Sequence, residues 1–330
     1  MPDKLRTYRQ KRDAAKTPEP VPADDDGLPS GNDDTFVIQE HHARSLHWDL
    51  RLERAGVLVS WAVPKGIPRD PKTNHLAVHT EDHPLEYAAF EGRIPQGEYG
   101  AGSMTIWDRG TYETEKWNDR EVMIVLHGSQ VSGRYVLFRT DGKNWMIHRM
   151  DPPADPDAEP LPKALRAMLP TERARLPRDE DSYGFEFAWG GRRLLAYIEG
   201  GRTRFTDATG REVGSPAGLA GPLGRALGAR PVLLDGEVAN LEGRELYLIF
   251  DLLHLDGHAL LNAPYEDRRR RLDELQLSGP RWQTTPWFPG DGAAVRTAAK
   301  GQGLPGVLAK RLDAPYRPGE QDDAWRYIPV

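Results

Sequence analysis

The stretch Phe36–Glu53, FVIQEHHARSLHWDLRLE, crowds His41, His42, His47, Asp49 and Arg51 into eighteen residues. From Leu46 to Leu52 the residue types alternate strictly. His47, Asp49 and Arg51 fall on one parity and Leu46, Trp48, Leu50 and Leu52 on the other. Period two predicts a strand with one apolar, core-directed face and one face presenting an imidazole, a carboxylate and a guanidinium, spaced roughly 7 Å apart. His41 ends the preceding FVIQ strand and can swing back across a short turn. Two imidazoles and a carboxylate suit a catalytic transition metal such as Mn, Fe or Zn. The competing reading is the solvated outer face of an edge strand.

Other chemistry-bearing residues surround this stretch. Six of the ten histidines lie between positions 41 and 83. His83 and Tyr87 share the turn His83-Pro84-Leu85-Glu86-Tyr87, where a histidine could protonate a leaving group or stabilise a charged transition state. Arg51, and Lys65 in WAVPKGIP, supply the fixed positive charge that clamps a phosphate. Arg12, Asp13 and Glu19 belong to a basic N-terminal arm and make chemical sense only if that arm folds back. The loop 94–102, IPQGEYGAG, is glycine-rich, so its backbone can approach a ligand closely.

The elements that must position these groups follow from the pattern. Residues 4–16 read as a short helix stopped at Thr17-Pro18-Glu19-Pro20, followed by a disordered acidic run, PADDDGLPSGNDD. From Phe36 to Met150 eight short strands follow with almost no helical spacing: FVIQ, LHWDLRL, VLVSWAV, HLAVHT, SMTIWD, EVMIVL, RYVLFRT and NWMIHRM. That predicts an all-β barrel or sandwich over residues 1–150. Residues 151–181 are rich in proline and charge and read as an interdomain linker. Residues 182–330 mix strands with a helix near Tyr265–Leu275 and a helix-like stretch near 294–300, an α+β module.

Composition narrows the class. The 330 residues contain no cysteine, which excludes a disulfide framework, a thiolate metal site and a cysteine nucleophile. That fits a reducing cytoplasm. No apolar run approaches a membrane span. The net charge of −6 argues against bulk polyanion binding, so a nucleic-acid site has to be local. Lys4, Arg6, Arg9, Lys11, Arg12 and Lys16 form one candidate. The helix with Arg268–Arg271 is a weaker one, since Glu266, Asp267, Asp273 and Glu274 flank it.

Four segments, LRTYRQKRDAAKTPEP, FVIQEHHARSLHWDLRLE, SWAVPKGIP and EDHPLEYAAFEGRIPQGEYGAG, resemble in order and spacing the 3′-phosphoesterase domain of bacterial ATP-dependent DNA ligase D. The resemblance covers residues 1 to about 150. It implies a divalent-metal enzyme, preferably manganese-dependent, that removes a 3′-terminal ribonucleotide and then the 3′-phosphate to leave a 3′-hydroxyl in non-homologous end joining. Carried over by position, His41, His47 and Asp49 would ligate the metal, and Arg51, Lys65, His83 and Tyr87 would contact the scissile phosphate. Arg12, Asp13 and Glu19 match arm residues needed for activity. His42 stands where that family usually has aspartate and receives no ligand role.

The second module resembles the adenylation domain of the same ligases, a nucleotidyltransferase-like fold, but departs at its reactive positions. Where the family has Lys-Trp-Asp-Gly-x-Arg, this chain has Ala188-Trp189-Gly190-Gly191-Arg192-Arg193. A methyl group cannot attack ATP, so no AMP adduct is expected. The Ser-Arg-Asn-Gly motif reads Asp207-Ala208-Thr209-Gly210, Pro305 replaces an acidic residue before Gly306-Val307, and Tyr327-Ile328-Pro329 replaces the last Lys-x-Lys. Asp235-Gly236-Glu237, Phe250-Asp251 and Lys310 persist. The expectation is a degenerate ligase module without the oligonucleotide-binding domain. The resemblance further implies DNA 3′ ends as substrate and a cytoplasmic, nucleoid-associated protein without membrane association. A Ku-type end binder, a separate ligase and a polymerase/primase are the implied companions. An alternative is a non-catalytic DNA-end-binding adaptor. An active ligase is opposed by Ala188.

Overall fold

The computed structural model describes residues 3–23, 29, 31–241 and 243–330. Six of the thirteen residues of the acidic run predicted to be disordered, 24–28 and 30, therefore lie outside the described residues. The chain forms two compact units, residues 1–156 and 157–330.

In the first unit the wall is built from β1 (Thr35–His42), β2 (Leu46–Arg54), β3 (Val57–Val63), β4 (Asn74–His79), β5 (Gly92–Ile94), β6 (Gly102–Trp117), β7 (Glu121–Gly128), β8 (Ser132–Asp141) and β9 (Asn144–Arg149). The order β1-β2-β3-β4-β9-β8-β7-β6 closes through a β6–β1 pairing, and β5 pairs with the start of β6. All of these pairings are antiparallel. The eight strands expected from the sequence are therefore the eight staves of a closed barrel; only the three-residue β5 is additional. Closure joins the two end staves, β1 and β6, and among the described residues leaves only the short β5 as an edge strand.

Aromatic contacts tell the inside from the outside. Trp61 of β3 meets Trp117 of β6 with ring centroids 6.4 Å apart, although β2 and β1 separate those strands around the wall. Such a contact has to cross the lumen. Leu50 pairs directly with Trp61, so the apolar parity of β2 (Trp48, Leu50 and Leu52, all 0% exposed) faces inward. Each such side chain contributes about 1.5–3 kcal/mol on burial. The polar parity faces outward, as expected, but it is not solvated: Asp49, Arg51 and Glu53 are all buried.

The cover on that outer face comes from the N-terminal arm and the turn after β4. Helix α1 spans only Arg6–Gln10, shorter than the predicted 4–16. Asp13 turns its carboxylate onto the Ala15 N–H at 3.1 Å, a local bond that competes with helix continuation. Tyr8, Leu58, Tyr87 and Met104 then form a small apolar cluster beneath the arm.

The second unit holds two mostly antiparallel sheets. The larger centres on Arg192–Glu199, Val232–Leu241 and Arg244–Leu255 and carries the helices Ala220–Leu227 and Tyr265–Glu274. The smaller contains Tyr183–Ala188, Gly306–Arg311 and Gln321–Pro329, with the helix Gly292–Gly301 packed on it. The α+β expectation holds, although the helix Ala220–Leu227 has no clear sequence signal. The linker expectation for 151–181 does not hold. Met168 is fully buried, and Leu169–Glu172 pairs in parallel with Gln321–Pro329, so from Asp157 on the chain is part of the second unit. Short apolar words inside a proline-rich, charged stretch supply that packing.

Candidate active site

The centre is built on the hairpin of β1 and β2. Their register places His41 opposite His47 and Gln39 opposite Asp49, all on the outward face. A register shift between Ile38 and Gln39 against β6 marks a bulge just before these residues. Bulges of this kind re-aim side chains next to active sites.

His41 Nδ1 lies 3.1 Å from His47 Nε2, and the Asp49 carboxylate reaches the two rings at 3.7 and 3.6 Å. One ligand atom from each of the three residues falls within 4.8 Å of the others. The outer nitrogen of each ring is tied to backbone: His41 Nε2 to the Gly100 carbonyl at 2.8 Å, His47 Nδ1 to the Ser45 carbonyl at 3.0 Å. A carbonyl only accepts, so each outer nitrogen carries the proton and each inner nitrogen presents a lone pair. Two lone pairs 3.1 Å apart beside a carboxylate repel one another unless a cation lies among them. The donor set suits a divalent metal.

Gly100 explains the glycine-rich loop. At φ +79° it adopts a conformation suited to glycine, and a Cβ there would lie 3.8 Å from His41 Cε1. Gly102 leaves still less room, since a Cβ would lie 2.4 Å from the His42 carbonyl oxygen.

Behind these three residues, the Arg51 guanidinium is taken up by buried hydrogen bonds. It donates to Asp49 Oδ2 at 3.0 Å, Gln39 Oε1 at 2.7 Å and Ser60 Oγ at 3.0 Å, and lies 4.7 Å from the Tyr87 ring. Burial opposes ionisation of Asp49, but the Arg51 guanidinium beside it holds its carboxyl well below the usual carboxylate range. Ser60 lies 3.3 Å from His83 Nδ1, and that nitrogen donates to the Glu81 carbonyl at 2.8 Å. His83 Nε2 faces Arg12 at 3.3 Å. Burial, together with Arg51 and Arg12, holds His83 well below its ordinary value, so it is neutral. With Nδ1 turned to the Glu81 carbonyl, neutral His83 accepts from Arg12 at Nε2.

Arg12 ties the arm down. Its guanidinium donates to Glu19 at 2.9 Å and Glu81 at 3.1 Å and stacks 3.7 Å over Tyr8. Glu19 in turn accepts from Tyr87 Oη at 2.9 Å and Thr17 Oγ1 at 2.7 Å. One polar chain thus runs from Asp49 through Arg51, Ser60, His83 and Arg12 to Glu19 and Tyr87.

Of the ten residues that the sequence singles out, eight converge here. Asp13 and Lys65 do not. Asp13 is exposed on its turn and paired with Lys16 at 3.0 Å, and Lys65 is exposed after β3. His42, on the opposite parity from His41, pairs with Glu40 at 2.6 Å and stays out of the cluster. Gln39, Ser60, Glu81 and Tyr8 join the site without having been singled out, while Gly100 belongs to the glycine-rich loop already marked for close backbone approach. Alternation along β1 points to Gln39, whereas the others depend on strand register and loop closure.

In the second unit the remnant motif residues pair with one another. Ala188 ends its strand and is buried. Lys310 binds Glu186 at 2.7 Å, and Tyr265 also donates to that glutamate. Arg193 forms two bonds to Asp235, at 2.5 and 2.6 Å, and Tyr316 donates a third at 2.7 Å. Phe250 is buried, with Lys310 4.3 Å and Arg193 4.5 Å from its ring. Arg268 is fully buried against Asp251, and Arg269 is nearly so, so half of the Arg268–Arg271 run is structural and unavailable to DNA.

Fold and centre together define a two-module protein in which a β-barrel bearing a His-His-Asp cluster able to hold a metal precedes an α+β module. Residues 39–139 match the model of the DNA ligase D 3′-phosphoesterase domain, and residues 223–327 that of the ATP dependent DNA ligase domain. The multifunctional non-homologous end joining protein LigD of Mycobacterium bovis is 45% identical over 343 residues, which cover 98% of this chain and 45% of that protein. Its Pseudomonas aeruginosa counterpart is 33% identical over 403 residues, covering 97% and 46%. The chain thus spans about half the length of these relatives. A solved mycobacterial DNA ligase D complexed with ATP and MES matches 50% of this chain and 60% of its own, at 31% identity and a TM-score of 0.46. The chain therefore carries a domain of the DNA ligase D 3′-phosphoesterase family followed by one of the ATP-dependent DNA ligase family.

Proposed function

We propose that the barrel is a divalent-metal-dependent phosphoesterase that heals DNA 3′ ends in end joining, removing a terminal ribonucleotide and then the 3′-phosphate to leave a hydroxyl. The observation that carries this reading is the convergence of one nitrogen from each of His41 and His47 with the Asp49 carboxylate, all within 4.8 Å. His41, His47 and Asp49 would hold the ion, with manganese as the expected metal. When bound, such an ion supplies Lewis-acid polarisation of a phosphoryl oxygen.

The chain's own residues set up everything else. Arg51 keeps Asp49 ionised and aimed. Around the centre Arg12, Arg51 and Lys11 offset Asp49, Glu19 and Glu81, so a divalent cation tips the local balance toward attracting phosphate. Among the three ligands His47 is the most exposed, its side chain 21% open against 6% and 7% for His41 and Asp49, so the substrate approaches from its side. Neutral His83 orients Arg12, whose charge faces the centre from the arm and stabilises charge that develops on the phosphate. Tyr87 braces Arg51 and Glu19. Asp13 and Lys65, if they serve the reaction, act from the surface on the DNA strand.

We further propose that the second unit forms no AMP adduct. Ala188 cannot be a nucleophile, and Lys310 is fully buried and ion-paired, with burial drawing its pKa down despite Glu186. Working companions on this reading are a Ku-type end binder, a separate ligase and a polymerase/primase, in the cytoplasm at the nucleoid.

The test uses a labelled primer-template ending in one 3′-ribonucleotide or a 3′-phosphate, with and without Mn²⁺. Conversion to a 3′-hydroxyl that needs Mn²⁺ and is lost in His41→Ala is the expected outcome. Binding without conversion would mean an adaptor instead of an enzyme. Incubation with labelled ATP is expected to leave the protein unlabelled, and a covalent protein–AMP would overturn the second proposal.

A further inference from the structure

We propose that Tyr99 is a stacking platform for the nucleobase of the 3′-terminal nucleotide, an inference that rests on the end-healing reading above and adds the subsite for the base. Among the described residues Tyr99 is the most exposed large apolar side chain, at 48%, although an aromatic ring of this size is ordinarily covered. It sits on the loop that serves the metal ligands, because the next residue, Gly100, supplies the carbonyl that fixes His41.

The ring is held in place and open at once. Lys11 Nζ lies 4.2 Å from its centroid and donates to its hydroxyl at 3.1 Å, while Arg12 approaches the centroid to 5.5 Å. Lys11 is itself anchored to Glu81 at 2.9 Å, so the lysine and the tyrosine brace each other. Two residues earlier, Gly97 at φ +96° has nothing within 4 Å of where a Cβ would be, which leaves space beside the platform. An exposed, braced aromatic flanked by two cations next to a phosphate centre is the equipment that holds a single-stranded nucleic-acid end. The cations meet the backbone, and the ring takes a base face whatever the base. A terminal phosphate at the His41–His47–Asp49 cluster leaves its own nucleoside as the group nearest the loop.

The test places 2-aminopurine as the 3′-terminal base of a primer-template ending in a 3′-phosphate, and measures its fluorescence with the full chain without added metal, then KM and kcat with Mn²⁺. Wild type is expected to quench the fluorophore. Tyr99→Ala should abolish the quenching and raise KM about tenfold or more, while Tyr99→Phe and Tyr99→Trp should restore both. A terminal abasic nucleotide should weaken wild type to the level of Tyr99→Ala and weaken Tyr99→Ala no further. An unchanged KM in Tyr99→Ala, an equal loss on base-bearing and abasic ends, or failure of Tyr99→Phe to rescue would overturn the platform. If wild type binds and heals no 3′ end at all, the end-healing reading falls, and this inference falls with it.

Discussion

Replacing Arg12 by alanine should release the N-terminal arm from the barrel without unfolding the barrel itself. The Arg12 side chain is 4% exposed, and its partners Glu19 and Glu81 are 0% and 4% exposed. Taking one partner from a buried ion pair costs about 3–5 kcal/mol, and loss of the stacking on Tyr8 adds about 0.5–2 kcal/mol. The chain has a cheaper state available. If the arm leaves, Glu19 goes with it and Glu81 meets water, so the penalty is limited to the free energy of docking. The barrel keeps its own closed hydrogen-bond network. The docking equilibrium should therefore shift by about 100-fold or more, at about 1.4 kcal/mol per tenfold. Hydrogen exchange read by mass spectrometry checks this directly. Peptides within residues 3–20 should lose protection, while β1, β2 and β3 keep theirs. Arg12→Lys should fall between, because one ammonium cannot replace three guanidinium contacts. Adding Glu19→Gln and Glu81→Gln to the alanine variant should recover part of the docking. An arm whose protection drops less than about threefold, or a barrel that melts together with the arm, would refute the argument.

Two further outcomes concern the metal and pH. Mn²⁺ at about 100 times its dissociation constant should stabilise the first unit by about 2.7 kcal/mol, and Asp49→Asn should remove most of that gain; a melting shift equal in both proteins would place the ion elsewhere. Burial, with Glu81 adding its charge against the pull of Lys4, pushes Asp82 up to about 6 from 3.8. Because the folded value is the higher one, the contribution of Asp82 to stability is full below about pH 4 and is lost as pH rises through about 6. Asp82→Asn should accordingly raise the melting temperature of the first unit at pH 7 relative to wild type and lose that advantage by pH 4. A difference between the two proteins that does not change with pH would show that Asp82 is solvated.

Much of this molecule is legible in one dimension. Strict alternation in Leu46–Leu52 determines which residues share a face, since successive side chains of a strand must diverge. Residue order alone therefore puts His47, Asp49 and Arg51 together. Eight apolar words between Phe36 and Met150 likewise determine eight strands. That position 188 is an alanine, with only a methyl side chain, is likewise a statement of covalent chemistry and needs no fold.

What the sequence leaves open is decided by closure and register. Whether the polar parity of β2 meets water depends on the arm folding back, and buried partners for Arg12 are scattered from Tyr8 to His83. The type of Arg51 allows it to clamp a phosphate. Only the packing of Gln39, Ser60 and Asp49 around its guanidinium makes it a positioning residue. The ring orientations of His41 and His47 rest on two backbone carbonyls, Gly100 and Ser45, and one of these comes from a loop 59 residues away. A side chain's type specifies which bonds it can make; which of them it makes is set by neighbours that only the tertiary fold brings within about 3 Å.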